Sequence, residues 1–294
     1  MERHYLLKRL VSLPVIWASI AMVHVSILML MPGDAIATLA STADPMFQQP
    51  FNYSVPSLAT VLMQLLQGHL GHSIFLQQPV SQLILSHLRP TLILTLMAFV
   101  PLYGLGLVLG WFLQRGHVWA KIIHQLCTAM AALPSCLIYT LVFVLQYQLF
   151  REPLSHTYLY GAGFLALRRI APLANLVSHC LSTTIDAPYI HMARRRGVAP
   201  IKIATVYILK NALIPVWVRL PKHFAQVLFA GTLTIEVLFS IPGLGRLTFT
   251  ALKHYDYPLI MGCLMASCMC LSLCYLTGDV IAQWLSPKMT IGGS

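Results

Sequence analysis

Long apolar runs separated by shorter polar stretches dominate this chain from end to end. Six of these runs approach the roughly 20 residues that an α-helix needs to cross a bilayer; they cover residues 10–31, 91–113, 122–149, 170–184, 221–239 and 257–285. The pattern predicts an all-α integral membrane protein with about six transmembrane helices, forming a single transmembrane domain over residues 1–294.

Two polar interruptions are too long to be simple turns. Residues 32–88 are rich in Gln, Ser, Pro and Asn. Two short apolar-periodic stretches within them, 57–67 and 80–88, predict small helices lying on the membrane surface. The other interruption, residues 186–215, is polar and basic and predicts a helical hairpin.

The first helix of this hairpin is expected over about residues 187–196. Asp186 is placed to cap its start, and Pro188 falls in its first turn, where a missing N–H costs nothing. Gly197 follows three arginines, at the position where a left-handed residue ends many helices.

The second helix of the hairpin is expected to begin at Pro200, because proline suits a first helical turn. It is expected to end near residue 213, before Pro215. Taken alone, this pattern fits equally well a basic loop that only sets membrane topology.

Composition supports the membrane assignment. Of 294 residues, 57% are hydrophobic and 9% are charged, against about 25% charged in a typical soluble domain. The net charge of +11 could indicate nucleic-acid binding, but the basic residues flank apolar runs and are better explained as topology signals.

The distribution of basic residues predicts which side each loop occupies. The larger set, assigned to the cytoplasm, is Arg3, Lys8, Arg9, Arg115, Lys121, Arg194, Arg195, Arg196, Lys202, Lys210, Arg219, Lys222 and Lys288. The smaller set, assigned outside, is Arg89, Arg151, Arg168, Arg169, Arg246 and Lys253. By the positive-inside rule, both termini are then cytoplasmic and residues 32–88 are periplasmic.

The hairpin resembles the EAA loop of bacterial ABC-transporter permeases, in the form found in dipeptide, oligopeptide and nickel importers. The matching sequences are YIHMARRRG at 189–197 and NALIP at 211–215. His191 replaces the glutamate that gives the EAA loop its first letter. In that family the first helix is a coupling helix that docks in a cleft of the cytoplasmic ATPase. The resemblance implies ATPase-coupling roles for Tyr189, His191, Met192, Ala193, Arg194 and Gly197, with Ala193 expected to face the ATPase cleft.

Other stretches extend the resemblance over nearly the whole chain. LGHS at 70–73 and LRPTL at 88–92 are similar to the outer segment and second-span start of these permeases. EVLFSIPGLG at 236–245, followed by DYP at 256–258, is similar to their connection between the fifth and sixth spans. The resemblance implies structural or pathway roles for Glu236, Pro242, Gly243, Gly245 and Asp256. For Glu236 both roles stay open, and Asp256 also has a local interpretation as the cap that starts the last helix.

The resemblance implies a permease subunit of an ATP-binding-cassette importer in the bacterial inner membrane, carrying peptides or a related small solute such as nickel or a metallophore. The expected partners are a second homologous permease in a heterodimer, one or two ABC ATPases, a periplasmic solute-binding protein and membrane lipid, with no nucleic acid. The sequence has no G-x-x-x-x-G-K-[ST] run, so ATP is expected to be handled by the partners, with no cofactor bound directly.

Alternative functions have weaker support. The same fold could serve export, as in relatives linked to polyamines or antimicrobial-peptide sensitivity. An intramembrane enzyme would need paired reactive residues within the spans, whereas Glu236 and Asp279 are isolated acids. His69 and His72 lack a nearby acid, and the four cysteines of the last span are expected to be packing residues, so no metal site is predicted.

Overall fold

The computed structural model describes residues 11–23, 26, 70–134, 137–138, 140–141, 143–144, 148, 157–230, 232–254 and 256–285. Within these residues the chain is helical apart from short connections and an isolated β-bridge between His72 and Pro79. The helices are α1 Val11–Val23, α2 Val80–Gln114, α3 Val118–Ala132, α4 Thr157–Ile185, α5 Pro188–Arg195, α6 Pro200–Lys202, α7 Lys210–Ala230, α8 Thr232–Leu238, α9 Leu244–Lys253 and α10 Tyr257–Leu285. A π-helical segment, Ile203–Leu209, joins α6 to α7.

Three helical runs in the described part of the chain are long and apolar enough to cross a membrane: α2, the run Pro200–Leu238 and α10. This confirms an all-helical protein with membrane-spanning helices. The count of six spans stays a prediction. The expected surface helix at 57–67, the residue Arg151 and the C-terminal residues 286–294 fall outside the described residues. Of the first predicted span, only Val11–Val23 and position 26 are described as helical.

The predicted boundary between a surface helix at 80–88 and a span at 91–113 is wrong, because α2 runs unbroken from Val80 to Gln114. Pro90 and Pro101 both lie inside this helix. Proline breaks helices in water, but membrane helices tolerate it because neighbouring helices and Ser or Thr side chains satisfy the freed backbone groups.

Pro134 lies directly after the end of α3. The third span was predicted over 122–149, but α3 stops at Ala132. Leu133 has extended backbone angles, φ −73° and ψ 148°, because the proline ring disfavours the α conformation in the residue before it. Helical positions resume from residue 137.

The fourth predicted span is also wrong at its start. It was placed at 170–184, with Arg168 and Arg169 outside, whereas α4 begins at Thr157 and contains both arginines. Both guanidinium groups donate hydrogen bonds to polar groups of the protein. Arg168 donates to the carbonyl oxygen of Ala131 at 3.2 Å, and Arg169 donates to the side chain of Gln226 at 2.9 Å.

The second hairpin helix does not end before Pro215, and the fifth span does not begin at residue 221. Pro215 and Pro221 both lie inside α7, which continues from the π-helical segment. Arg219 and Lys222, which were assigned to the cytoplasm, lie inside the same helix. The hairpin therefore leads into a membrane-spanning helix without a loop. The last helix, Tyr257–Leu285, has the bounds predicted for the sixth span, whereas α9, Leu244–Lys253, was not predicted.

The chain divides into two compact units, and the larger consists of Leu85–Thr250 and Cys270–Ser294. Its core is formed by α2, α4 and α7, with Leu94, Leu102, Leu173 and Val216 among the buried residues. A side chain at Gly106 or Gly110 would collide with α4. This G-x-x-x-G spacing lets two membrane helices approach closely.

The smaller unit consists of Arg3–Ile84 and Ala251–Met269. Within it, the start of α2 packs against α10, and a side chain at Gly262 would collide with Val80. Phe75 and His254 stack with ring centroids 3.7 Å apart.

Candidate functional site

The first helix of the predicted hairpin is present as α5. Pro188 occupies its first turn, as predicted. Asp186 does not cap it, because the cap residue is Ala187 and no side chain hydrogen-bonds the helix start. The prediction mistook the end of α4 for the start of a new helix. Asp186 N–H instead donates to the carbonyl oxygen of Ser182 in α4.

The end of α5 has the geometry expected around Gly197. Gly197 has φ +72°, a conformation that costs most residues with a side chain energy. Its N–H donates to the carbonyl oxygen of Arg194, and Val198 N–H donates to that of Ala193. This pair of bonds is the Schellman motif, which fixes the direction in which the chain leaves the helix.

A small hydrophobic core closes the hairpin. It consists of Ile190, Ala193 and Ile203, all buried, with Val198 and Tyr207 packed against them. The expectation that Ala193 faces outward is wrong, because its side chain is 7% exposed and lies inside the hairpin. Its small size allows α5 to lie close to the second arm.

The opposite face of α5 is exposed and both apolar and basic. Tyr189 is 41% exposed and Met192 is 52% exposed. Exposed basic or titratable side chains accompany them: His191, Arg194 and Arg195 in the helix and Arg196 at its C-cap. Of the predicted coupling residues, all except Ala193 are therefore open to a partner.

The hairpin is packed onto the membrane helices. Ile208 contacts both the hairpin core and the core of the larger unit. Asn211, at the start of α7, donates to the carbonyl oxygen of Tyr207 at 2.8 Å and lies 3.5 Å from the hydroxyl of Tyr189. These contacts connect both arms of the hairpin to α7. The π-helical segment lies at the same junction, and π-helical turns are frequent at functional sites.

Glu236 lies at the other end of the Pro200–Leu238 run and is fully buried. Its Oε1 accepts a hydrogen bond from Thr91 Oγ1 at 2.7 Å. Its Oε2 accepts from the N–H groups of Gly245 and Arg246 at 2.7 and 3.1 Å. The carboxylate thus caps the start of α9, where the helix dipole favours negative charge. We call Glu236, Thr91 and residues 240–246 the Glu236 latch.

The remaining contacts of the latch fix the loop 240–246. Leu244 N–H donates to Thr91 Oγ1 at 2.7 Å, and the Arg246 side chain donates to Ser240 O at 2.6 Å. Ser240 has φ +54°, and Ile241 N–H returns to Glu236 O at 2.9 Å. These contacts favour the structural role of Glu236 over the pathway role.

Close contacts explain both glycines of this loop. A Cβ at Gly243 would lie 2.3 Å from Glu236 Cδ, and one at Gly245 would lie 2.5 Å from Leu233 Cα and 2.9 Å from Glu236 Oε2. Pro242 is exposed, and none of its described contacts assigns it a role.

Asp256 belongs to the smaller unit and performs the predicted capping role. Its Oδ1 accepts a hydrogen bond from Leu259 N–H at 3.3 Å, at the start of α10. Its Oδ2 accepts from Ser73 Oγ and from Phe75 N–H. Asp256 therefore also holds the loop that precedes α2, a second role that the sequence did not indicate.

The described residues contain no group of three or more His, Cys, Asp or Glu side chains able to hold a metal ion. Cys263, Cys268, Cys270 and Cys274 are free thiols within α10, as expected of packing residues. His72 is described, whereas His69 lies outside the described residues.

Sequence reasoning missed two side chains that these sites depend on: Thr91 and Ser73. They pair with acids 145 and 183 residues away, and no local pattern reports such distant pairs.

Residues 102–291 match the family of binding-protein-dependent transport system inner membrane components. The chain belongs to this family and is a multi-pass membrane permease component. Membership implies, in general terms, a partner ATPase, a binding protein and a second permease.

Named relatives of similar length agree with this assignment. A protein named as a peptide transport system permease from Brucella abortus (strain 2308) is 28% identical over 287 residues, covering 88% of this chain and 90% of the relative. A peptide ABC transporter permease of Sinorhizobium fredii is 25% identical, covering 97% of this chain and 98% of the relative. The nickel import system permease NikB of Staphylococcus aureus (strain USA300) is 26% identical, covering 77% of this chain and 70% of the relative.

Proposed function

We propose that this chain forms half of the translocation pathway of an ATP-driven importer for peptides or a related small solute. The observation that carries the proposal is the hairpin of α5 and the following segment, which is packed as a unit and continues without a loop into a membrane-spanning run. The relatives named for peptide transport support peptides as the solute; the relative named for nickel keeps a metal or metallophore as the alternative cargo.

The exposed face of α5 would be the docking surface for the ATPase. Tyr189 and Met192 offer apolar area flanked by arginines, a composition that suits a cleft combining apolar and acidic groups. Docking here would let ATP-driven closure of the motor move the hairpin, and the contacts of Ile208 and Asn211 would pass that movement to α7.

The complete transporter would contain this permease, a second homologous permease in a heterodimer, one or two cytoplasmic ABC ATPases and a periplasmic solute-binding protein. The ATPases would supply all nucleotide chemistry, because the sequence lacks a phosphate-binding loop. The hairpin and both termini would be cytoplasmic, and residues 32–88 periplasmic.

Uptake of labelled trialanine tests the function. Cells lacking this chain should lose ATP-dependent uptake and regain it when the wild-type gene is restored. Faster efflux from wild-type cells, without uptake, would instead support export.

Three variants test the coupling surface. Met192→Glu, which alters the exposed face, should reduce co-purification of the ATPase while the permease still reaches the membrane. Ala193→Glu and Gly197→Pro, which disrupt the hairpin core and its turn, should uncouple uptake from ATP hydrolysis. Val118→Glu is the matched control, because Val118 is 71% exposed on another predicted cytoplasmic turn. Normal uptake by all three hairpin variants would refute the coupling role.

A further inference from the structure

A row of polar and basic side chains runs along one face of α7, inside a membrane-spanning run. Arg219, Lys222, His223 and Gln226 are spaced i, i+3, i+4 and i+7, which places them on the same side of the helix. Arg219 and Gln226 are exposed, and Lys222 and His223 are half-buried. We call these four residues, with Arg169 of α4, the basic stripe.

The members of the stripe contact one another and side chains of α2 and α10 in the same unit. Arg169 of α4 donates to Gln226 Oε1 at 2.9 Å and approaches Gln226 O at 3.4 Å. The hydroxyl of Tyr103, on α2, lies 3.1 Å from His223 Nδ1. Lys222 Nζ lies 5.8 Å from the centre of the Tyr275 ring on α10.

The stripe lies deep in the helices rather than at their ends. At 1.5 Å per residue, Arg169 is about 18 Å from the start of α4 and about 24 Å from its end. Gln226 also lies within its run, about 39 Å from Pro200 and about 18 Å from Leu238. Arg219, Lys222 and Gln226 belong to the run Pro200–Leu238, which is long and apolar enough to cross a membrane. Basic side chains within such a run are costly to insert and mark a functional site by default.

Few acidic side chains are described in the same unit. The carboxylates described in this unit are Asp186, Glu236 and Asp279. Asp186 lies at the end of α4, and Glu236 is engaged in the latch. Asp279 lies one turn beyond Tyr275, towards the end of α10. Among the described residues, the stripe itself therefore contains three cations, Arg169, Arg219 and Lys222, and no acid.

Exposed guanidinium and amide groups cannot face lipid chains at this depth, because the hydrocarbon core offers them no hydrogen-bond partner. The exposed side of the stripe must therefore meet water or another polar group. A guanidinium beside an amide matches a carboxylate in both charge and geometry, since arginine binds carboxylates with paired N–H donors.

We propose that the basic stripe lines the translocation pathway and binds a carboxylate of the transported solute, with Arg169 as the principal contact. This inference rests on the proposed function of the chain. It deepens that function by assigning the permease an anionic cargo, so that a peptide with a free C-terminal carboxylate fits the stripe and a bare divalent cation does not.

Cysteine chemistry tests the stripe without requiring transport. The assembled transporter, in nanodiscs of neutral lipid and in a background lacking native Cys, would carry Gln226→Cys. The anionic sulfonatoethyl and cationic trimethylammonioethyl methanethiosulfonates would be compared, each rate being normalised to free cysteine. We expect the anionic reagent to be favoured about tenfold, because a cation several ångströms away acts oppositely on the two charges.

Matched variants identify the source of the preference. Arg169→Gln should reduce it severalfold, and Arg168→Gln should leave it unchanged, because Arg168 sits next in sequence but donates to Ala131 O. Leu105→Cys, 56% exposed on α2, should react with neither reagent if it faces lipid. A Gln226→Cys that reacts with neither reagent, shows no charge preference, or responds equally to both arginine variants would overturn the proposal.

Protection identifies the ligand. Trialanine should slow labelling of Gln226→Cys by the neutral methyl methanethiosulfonate, whereas trialanine amide should not, and Arg169→Gln should abolish the difference. Equal protection by both peptides, or by neither, would refute a carboxylate ligand. Protection that appears only when anionic lipid is added to the nanodiscs would assign the stripe to lipid headgroups and also overturn the proposal. If wild-type cells fail to take up trialanine although protection is seen, the proposed function fails and the carboxylate site stands.

Discussion

Replacing Gly243 by alanine should destabilise the protein strongly, although it adds a single methyl group. The new Cβ would lie 2.3 Å from Glu236 Cδ and 2.4 Å from both carboxylate oxygens, whereas ordinary contacts begin near 3.4 Å. The backbone at Gly243 is not in the left-handed region, so the cost arises from this contact alone. To make room, the carboxylate must move by about 1 Å, which lengthens and weakens its bonds to Thr91, Gly245 and Arg246.

The size of the effect follows from two contributions. Overpacking costs typically 1–3 kcal/mol, and each hydrogen bond to a charged group contributes about 1.5–3 kcal/mol. The Thr91 hydroxyl can donate instead to His87 O, which lies 3.2 Å away. This bond recovers part of the lost free energy. We expect a decrease of about 3–5 kcal/mol in the free energy of unfolding, large against the few kcal/mol that single substitutions usually cost.

The assay is thermal unfolding of the detergent-solubilised transporter, followed by size-exclusion chromatography of heated samples. Gly163→Ala is the matched control, because this glycine lies inside α4 with no atom within 4 Å of an added Cβ. It should be neutral or slightly stabilising, since alanine is favoured over glycine within helices by about 0.5–1 kcal/mol. If both variants unfold at the same temperature as the wild type, Gly243 is not tightly packed against Glu236.

Three further predictions concern other parts of the chain. Ser240→Gly should raise the unfolding temperature slightly, because glycine adopts φ +54° without the cost that serine bears; an unchanged or lower temperature would contradict this. The purified chain, free of partner subunits, should not hydrolyse ATP in a phosphate-release assay, and activity that survives further purification would refute a partner-borne ATPase site. Single cysteines at Gln49 and Val198, in a background lacking native Cys, should be labelled by an impermeant maleimide in whole cells at 49 and not at 198. The reverse pattern would overturn the predicted topology.

Features with local causes could be predicted from the sequence. The bounds of α10 follow from its apolar run and from Asp256, which hydrogen-bonds Leu259 N–H three residues along. The turn at Gly197 follows from a basic last turn followed by glycine. In both cases the residues that determine the structure are neighbours in the chain.

Features with distant causes could not be predicted. Pro90, Pro215 and Pro221 were treated as helix ends, although tertiary packing keeps the helices continuous through them. Glu236 could be singled out as a buried acid, but its partner Thr91 is 145 residues away. The choice between a structural and a pathway role therefore needed three-dimensional contacts.

The run Pro200–Leu238 connects the hairpin core, the basic stripe and the Glu236 latch. The hairpin core includes Ile203 near its start, the basic stripe lies along its middle, and Glu236 lies near its far end. Because the prolines do not interrupt the helix, a movement of the hairpin has a direct mechanical route to the stripe. The latch attaches the far end of the run to α2, so that force applied at the hairpin would turn or tilt α7 rather than slide it.

Loosening the latch should therefore weaken coupling, even though Glu236 contacts neither the solute nor the ATPase. Glu236→Gln, which keeps the volume and removes the charge, should therefore lower uptake per ATP hydrolysed in the assembled transporter. Unchanged coupling in this variant, at an unfolding temperature clearly below that of the wild type, would confine the latch to stability alone.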